Sequence, residues 1–198
     1  MASYGARAGF NAVGRLWRRL LLAAVFPLLT PASAIAGVDE GYAAYDRGDY
    51  QTAFRELMPS ANAGHAGAQV LLGTIYDLGE GVPQDHAEAA RWYRRADQDD
   101  AAGQFMLGLM YASGQGVPRD YAEAARWLRL SANQGDAPAQ FELGLMHVKG
   151  EAIPQDYTEA LRWFRMAAAQ GLAEAQFSLG LMHACGFGVP QNYAEAVR

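Results

Sequence analysis

The sequence predicts an all-α fold, a right-handed solenoid of antiparallel helix-turn-helix units, on three observations. Gly73, Gly108, Gly144 and Gly180 lie 35, 36 and 36 residues apart, and the same offsets align Asp85, Asp120, Asp156 and Asn192, then Trp92, Trp127 and Trp163. A period near 36 without shared cysteine or metal ligands marks a stacked helical array. Each period also holds one helix stop, as in Gly114-Gln115-Gly116-Val117-Pro118, and one helix start, an Asp or Asn with Glu three places on.

Composition fits that class. With 51% hydrophobic and 19% charged residues in 198, the chain can bury a sizeable core and is not disordered. Cys185 is its one cysteine, so no intramolecular disulfide forms and packing alone must hold the fold. The first 36 residues carry four arginines and no acid; the rest carries 12 bases against 21 acids, and Lys149 is the single lysine. Phosphate binding needs clustered Lys and Arg, so this acidic body argues against nucleic acid as a partner.

Residues 1–36 read as a secretory signal peptide. A basic region ends at Arg18-Arg19, an apolar run extends from Leu20 to Leu29, and the small-residue series Ala32-Ser33-Ala34-Ile35-Ala36 follows, with cleavage expected after Ala34 or Ala36. The run is too short for a bilayer core of ~30 Å, and Pro27 interrupts it. No permanent membrane span is therefore expected, and the mature protein is expected to be periplasmic or secreted.

Residues 37–65 read as an atypical helical hairpin. Tyr42 and Tyr45 share one face of a short helix, Arg47-Gly48 makes the turn, and Asp49 caps a second helix that Pro59 should bend or interrupt. With Gly48-Asp49-Tyr50 at the turn, this unit resembles a tetratricopeptide unit, and a terminal unit that departs from consensus is expected to cap the stack.

Four units then share one grammar: residues 66–101, 102–136, 137–172 and an incomplete 173–198. The first helix of each, helix A, carries a glutamine (Gln69, Gln104, Gln140, Gln176) and then Leu-Gly at Gly73, Gly108, Gly144 and Gly180. Glycine inside a helix costs ~1 kcal/mol relative to alanine, so its recurrence predicts a neighbouring helix too close for a Cβ. Helix A ends at paired glycines, and Pro83, Pro118, Pro154 and Pro190 forbid its continuation. Helix B starts at Asp85, Asp120, Asp156 and Asn192, with Glu88, Glu123, Glu159 and Glu195 expected to complete a capping box whose cap alone contributes ~1 kcal/mol. Ala89, Trp92, Tyr93 and Ala96, and their equivalents, form the apolar stripe that meets helix A.

The residues from Ala139 to Gly171, AQFELGLMHVKGEAIPQDYTEALRWFRMAAAQG, resemble a Sel1-like repeat, a cousin of the tetratricopeptide repeat, and the resemblance covers residues 66–198. It implies the solenoid fold and is nearly silent on function; a protein or peptide partner is expected because stacked hairpins offer an extended groove of rigid helices. Three departures stand out. Ala96-Asp97-Gln98-Asp99-Asp100 lacks the turn glycine, so the step to the next unit is expected to tilt; Ala152-Ile153-Pro154 loses one glycine of the turn; and the last unit stops at Arg198 with about two turns of helix B, so the chain is expected to be a fragment or to have its open end covered, with self-association one way to cover it.

No constellation for catalysis is apparent, and no catalytic residue, metal ligand or cofactor is assigned. His147 and His183 lie one repeat apart, on the order of 10 Å for packed helices, too far to share an ion. His65 and His86 receive no role. Cys185 is two residues from His183 and on a different side of the helix, so it reads as a solvated thiol rather than a nucleophile. Some Sel1-like proteins carry a β-lactamase label, but no Ser-x-x-Lys, Gly-x-Ser-x-Gly or His-Glu-x-x-His occurs here. The phase of the tryptophans makes them core rather than a ligand-stacking ladder.

The candidate protein-binding strip is where helix A varies: Leu71, Met106, Glu142 and Ser178 at one position, Thr74, Leu109, Leu145 and Leu181 three residues on, and Leu78, Ser113, Lys149 and Cys185 seven on. These offsets share a helical face. If helices A line the inside of the curve, that face is a concave groove. The expected function is thus a non-catalytic interaction scaffold of the bacterial cell envelope, with a hydrolase acting on cell-wall material or β-lactams, or an assembly module working through the open C-terminal end, as alternatives.

Overall fold

The computed structural model describes residues 32–96 and 100–196, and its elements are all helical. Residues 1–31 of the expected leader, the Asp97-Gln98-Asp99 step with its expected tilt, and residues 197–198 lie outside the described residues. Ala34 and Ala36, the expected cleavage points, fall in the first turns of a helix.

The chain divides into two compact units, Met1–Arg119 and Asp120–Arg198. The first contains α1 (Ala32–Asp46), α2 (Tyr50–Asn62), α3 (Ala66–Leu78), α4 (His86–Ala96) and α5 (Ala101–Ser113), each packed on the next. Its core gathers Tyr45, Leu57, Leu71, Leu72, Ile75 and Trp92. The second contains α6 (Tyr121–Asn133), α7 (Ala137–Lys149), α8 (Tyr157–Ala169), α9 (Ala173–Cys185) and the short α10 (Tyr193–Ala196), again packed in sequence. Phe141, Leu161, Phe164 and Met182 form its core, each burial stabilising by about 1.5–3 kcal/mol.

The turn glycines act as expected. Gly79, Gly114, Gly150 and Gly186 take left-handed φ of 71°, 75°, 70° and 73° and close helix A by donating to the carbonyls of Ile75, Met110, Met146 and Met182. Ala152, where the turn has lost its glycine, adopts φ 63° all the same, a conformation an L side chain resists. The helical glycines are crowded, but by a side chain rather than by helix backbone at two of them. A Cβ at Gly73 would meet the Tyr93 ring at 2.6 Å, and one at Gly144 the Phe164 ring at 2.6 Å.

Helix B starts where the sequence places it, with a different second half to the cap. Asp85, Asp120 and Asp156 each accept from two amides of the first turn, at 2.9–3.1 Å. The glutamates do not reach back: Glu88, Glu123 and Glu159 pair with Arg91, Arg126 and Arg162 one turn on. The reason is competition for the cap amide. The N–H of Asp85 donates to Tyr76 O at 2.9 Å and that of Asp156 to His147 O at 3.0 Å, tying helix B to helix A across the turn.

In the atypical first unit α2 runs through Pro59 to Asn62 without interruption. Proline there forfeits one backbone bond near the helix end. Tyr45 donates to Glu80 at 2.6 Å and meets Tyr50 edge-on at 5.2 Å, which locks this hairpin to the turn after α3.

Candidate interaction face

Most polar groups of the repeating framework are engaged in joining it. The helix A glutamine donates its side-chain amide to a carbonyl near the end of the preceding helix: Gln69 to Ala61 at 2.8 Å, Gln140 to Ala132 at 3.1 Å, Gln176 to Ala168 at 3.4 Å. Asp100 and Asp136 cap α5 and α7 through Gly103 N and Ala139 N. His65 is not idle, because its Nδ1 accepts from Ala68 N and caps α3. Nor is His86, whose Nδ1 sits 2.7 Å from a carboxylate oxygen of the buried Asp77. Trp92, Trp127 and Trp163 are buried as core, with Arg95, Arg126 and Arg162 lying over their rings at 4.6–4.8 Å.

The twelve strip positions divide sharply by exposure. Leu71, Thr74, Met106, Leu109 and Glu142 are buried; Leu78, Ser113, Leu145 and Ser178 are half-buried; Lys149, Leu181 and Cys185 are exposed. A partner can touch the last group directly, whereas the aliphatic members of the first serve the core. The sequence pattern could not separate them, since a helical face and a solvent face differ only by what packs on top.

Two titratable groups on α7 are perturbed. Burial pushes the Glu142 carboxyl up to about 7, against the opposing pull of Lys149. Burial, first among opposing influences, lowers His147 from its ordinary value, and its Nδ1 has no hydrogen-bond partner. Among the described residues no three His, Cys, Asp or Glu side chains group as a metal site, and no helix is long and apolar enough to cross a membrane.

The Sel1 repeat matches residues 66–96, 101–136, 137–172 and 173–198, well over half of the chain. The chain belongs to the Sel1 repeat family. Its fold is accordingly an all-α solenoid of helix-turn-helix repeats. Sel1 repeat proteins generally mediate protein–protein interaction and are generally non-catalytic. Among solved structures, a Sel1 repeat protein from Oxalobacter formigenes is 35% identical, with a TM-score of 0.76 over 81% of this chain and 66% of that one. A protective antigen present in uropathogenic Escherichia coli strains, which displays an SLR fold, is 36% identical with a TM-score of 0.78 over 83% of this chain. This Sel1 repeat chain spans 36% of the length of the second protein. No curated protein matches the chain at a significant level.

Proposed function

We propose that this Sel1 repeat chain is a non-catalytic scaffold of the bacterial cell envelope that holds a protein or peptide on the face made by helices A. The carrying observation is a division of labour: amides and acids of the repeating framework are engaged in caps and repeat-to-repeat bonds, while Lys149 and Cys185, where the repeats differ, and Leu181 beside them in the strip are exposed. An extended surface of rigid helices suits peptide or protein capture. The basic, apolar and small-residue order of residues 1–36 supports export to the envelope.

Photo-crosslinking side chains at positions 149, 181 and 185, compared with positions 91 and 126 on helix B, test this reading in envelope fractions. The same discrete partner should be captured from the first three and not from the last two. Equal capture from both sets, or nitrocefin or peptidoglycan turnover abolished by one serine or carboxylate substitution, would displace it. N-terminal sequencing of the exported chain should begin at Ile35 or Gly37.

A second reading, self-association, is favoured by exposed apolar side chains on α9 and α10, namely Phe177, Leu181 and Tyr193. Light scattering of the purified chain should then report a dimer or larger that Phe177→Ser dissociates.

A further inference from the structure

We propose that Glu142 is the specificity-determining residue of the partner-binding face and that it receives the guanidinium of an arginine presented by the partner. The inference rests on the scaffold reading above and assigns the chemistry of its ligand.

Glu142 is the one charged side chain in its row; the equivalent positions are Leu71, Met106 and Ser178. It is only 3% exposed, and among the described residues its carboxylate takes neither a hydrogen bond nor an ion pair. The polar groups two residues back and at the matching position of α9 are occupied elsewhere. Gln140 donates to Ala132 O and accepts from Gln170, and the Ser178 hydroxyl donates to Glu174 O at 2.8 Å. Lys149, two turns along α7 and exposed, acts on Glu142 through its charge.

A buried carboxylate without a partner is costly, and interiors as a rule pair such groups. Leucine and methionine at the same position in other repeats show that the fold does not need an acid there. Its retention at Glu142 is explained by a group that arrives from outside. The carboxylate has both oxygens unclaimed, which suits the planar fork of a guanidinium. Being recessed, it also asks for a long side chain whose methylenes can lie along half-buried Leu145 and the exposed Leu181. The excess of acids over bases in the body of the chain would steer a basic segment towards it.

The test is a titration of the full ¹⁵N-labelled chain at pH 8 with acetyl-Ala-Ala-Arg-Ala-Ala-amide, and with the same peptide carrying citrulline, which keeps the shape and removes the charge. The arginine peptide should give saturable amide shifts centred on Glu142, Leu145 and Leu181, and the citrulline peptide at least about tenfold weaker ones. Glu142→Gln should weaken the arginine peptide about tenfold or more, while Glu174→Gln, which removes the same charge from an exposed position of α9, should leave it unchanged. Absence of a saturable shift in the wild type, equal binding of the two peptides, or equal loss in both variants would overturn the proposal. Neither peptide arm involves the natural partner, so a failure here leaves the crosslinking result standing, and a failure there leaves this titration decisive on Glu142.

Discussion

Helices α7 and α9 hold almost the same residues and live in different surroundings. From Ala139 to His147 and from Ala175 to His183 they differ at a single side chain, Glu142 against Ser178. Yet Phe141 is 7% exposed and Phe177 67%. Gln140 is buried and Gln176 exposed, and Gly144 lies under the ring of Phe164 whereas Gly180 faces only the carbonyl of Ala196. Among the described residues the difference follows the next helix along the chain. α7 is covered by the 13 residues of α8, and α9 is succeeded among the described residues by the four of α10. Among the described residues, nearly identical sequence is thus covered in one repeat and uncovered in the next, because burial belongs to the pair of helices and not to either one.

The largest effect that can break this comparison comes from the phenylalanines. Phe141→Ala should cost about 3–5 kcal/mol in urea denaturation and Phe177→Ala less than about 0.5 kcal/mol. Equal losses would mean that α9 is covered in solution.

Next in size is the one side chain that separates the stretch from Ala139 to His147 from its counterpart in α9. The Glu142 carboxyl, ordinarily near 4.5, holds its proton up to about 7 in the folded chain, so its contribution to stability is present below 4.5 and lost as pH rises through 7. Glu142→Gln should remove that slope and stabilise the protein by up to about 3 kcal/mol at pH 8 relative to pH 4, read as the pH dependence of the denaturation midpoint. Ser178→Gln should leave the slope as it is.

The glycines come third. Gly144→Ala forces a Cβ into the Phe164 ring and should cost about 1–3 kcal/mol, while at Gly180 the Cβ would meet Ala196 O at 2.8 Å, on the four-residue α10 that has little packing to lose, and should lower the thermal midpoint by less. The smallest effect is expected of the amides. Gln140→Ala should lose about 1 kcal/mol with its buried bond, and Gln176→Ala, whose 3.4 Å bond is exposed, a quarter of that or less.

Much of the architecture was legible in the sequence because helix ends are local chemistry. Asp156 with Thr158 and Glu159 behind it needs no tertiary context to start a helix, and Gly150 needs none to stop one. What Glu159 does with its carboxylate was not legible, since a main-chain bond from Asp156 to His147, made only once the hairpin closes, takes the amide it would have sought. The His86–Asp77 pair does leave a trace in the sequence. Asp77 stands where the other repeats have Ala112, Val148 and Ala184, and His86 where they have Tyr121, Tyr157 and Tyr193. Two departures within a single unit are the mark of a contact between them. The interaction face was the least legible part, for Leu71, Thr74, Met106 and Leu109 among its twelve positions are taken up by packing that only neighbouring helices decide.

The glutamine that reaches from helix A to the carbonyl behind it has a consequence for how such chains grow. Gln69, Gln140 and Gln176 each find an alanine at the same distance back along the chain, Ala61, Ala132 and Ala168. A tandem copy of about 36 residues would therefore be born with both halves of its coupling, donor at the front and acceptor at the rear, and could be spliced between existing units without inventing a joint. Gene duplication can then lengthen the array in whole steps, adding reach for a partner while leaving every older seam as it was.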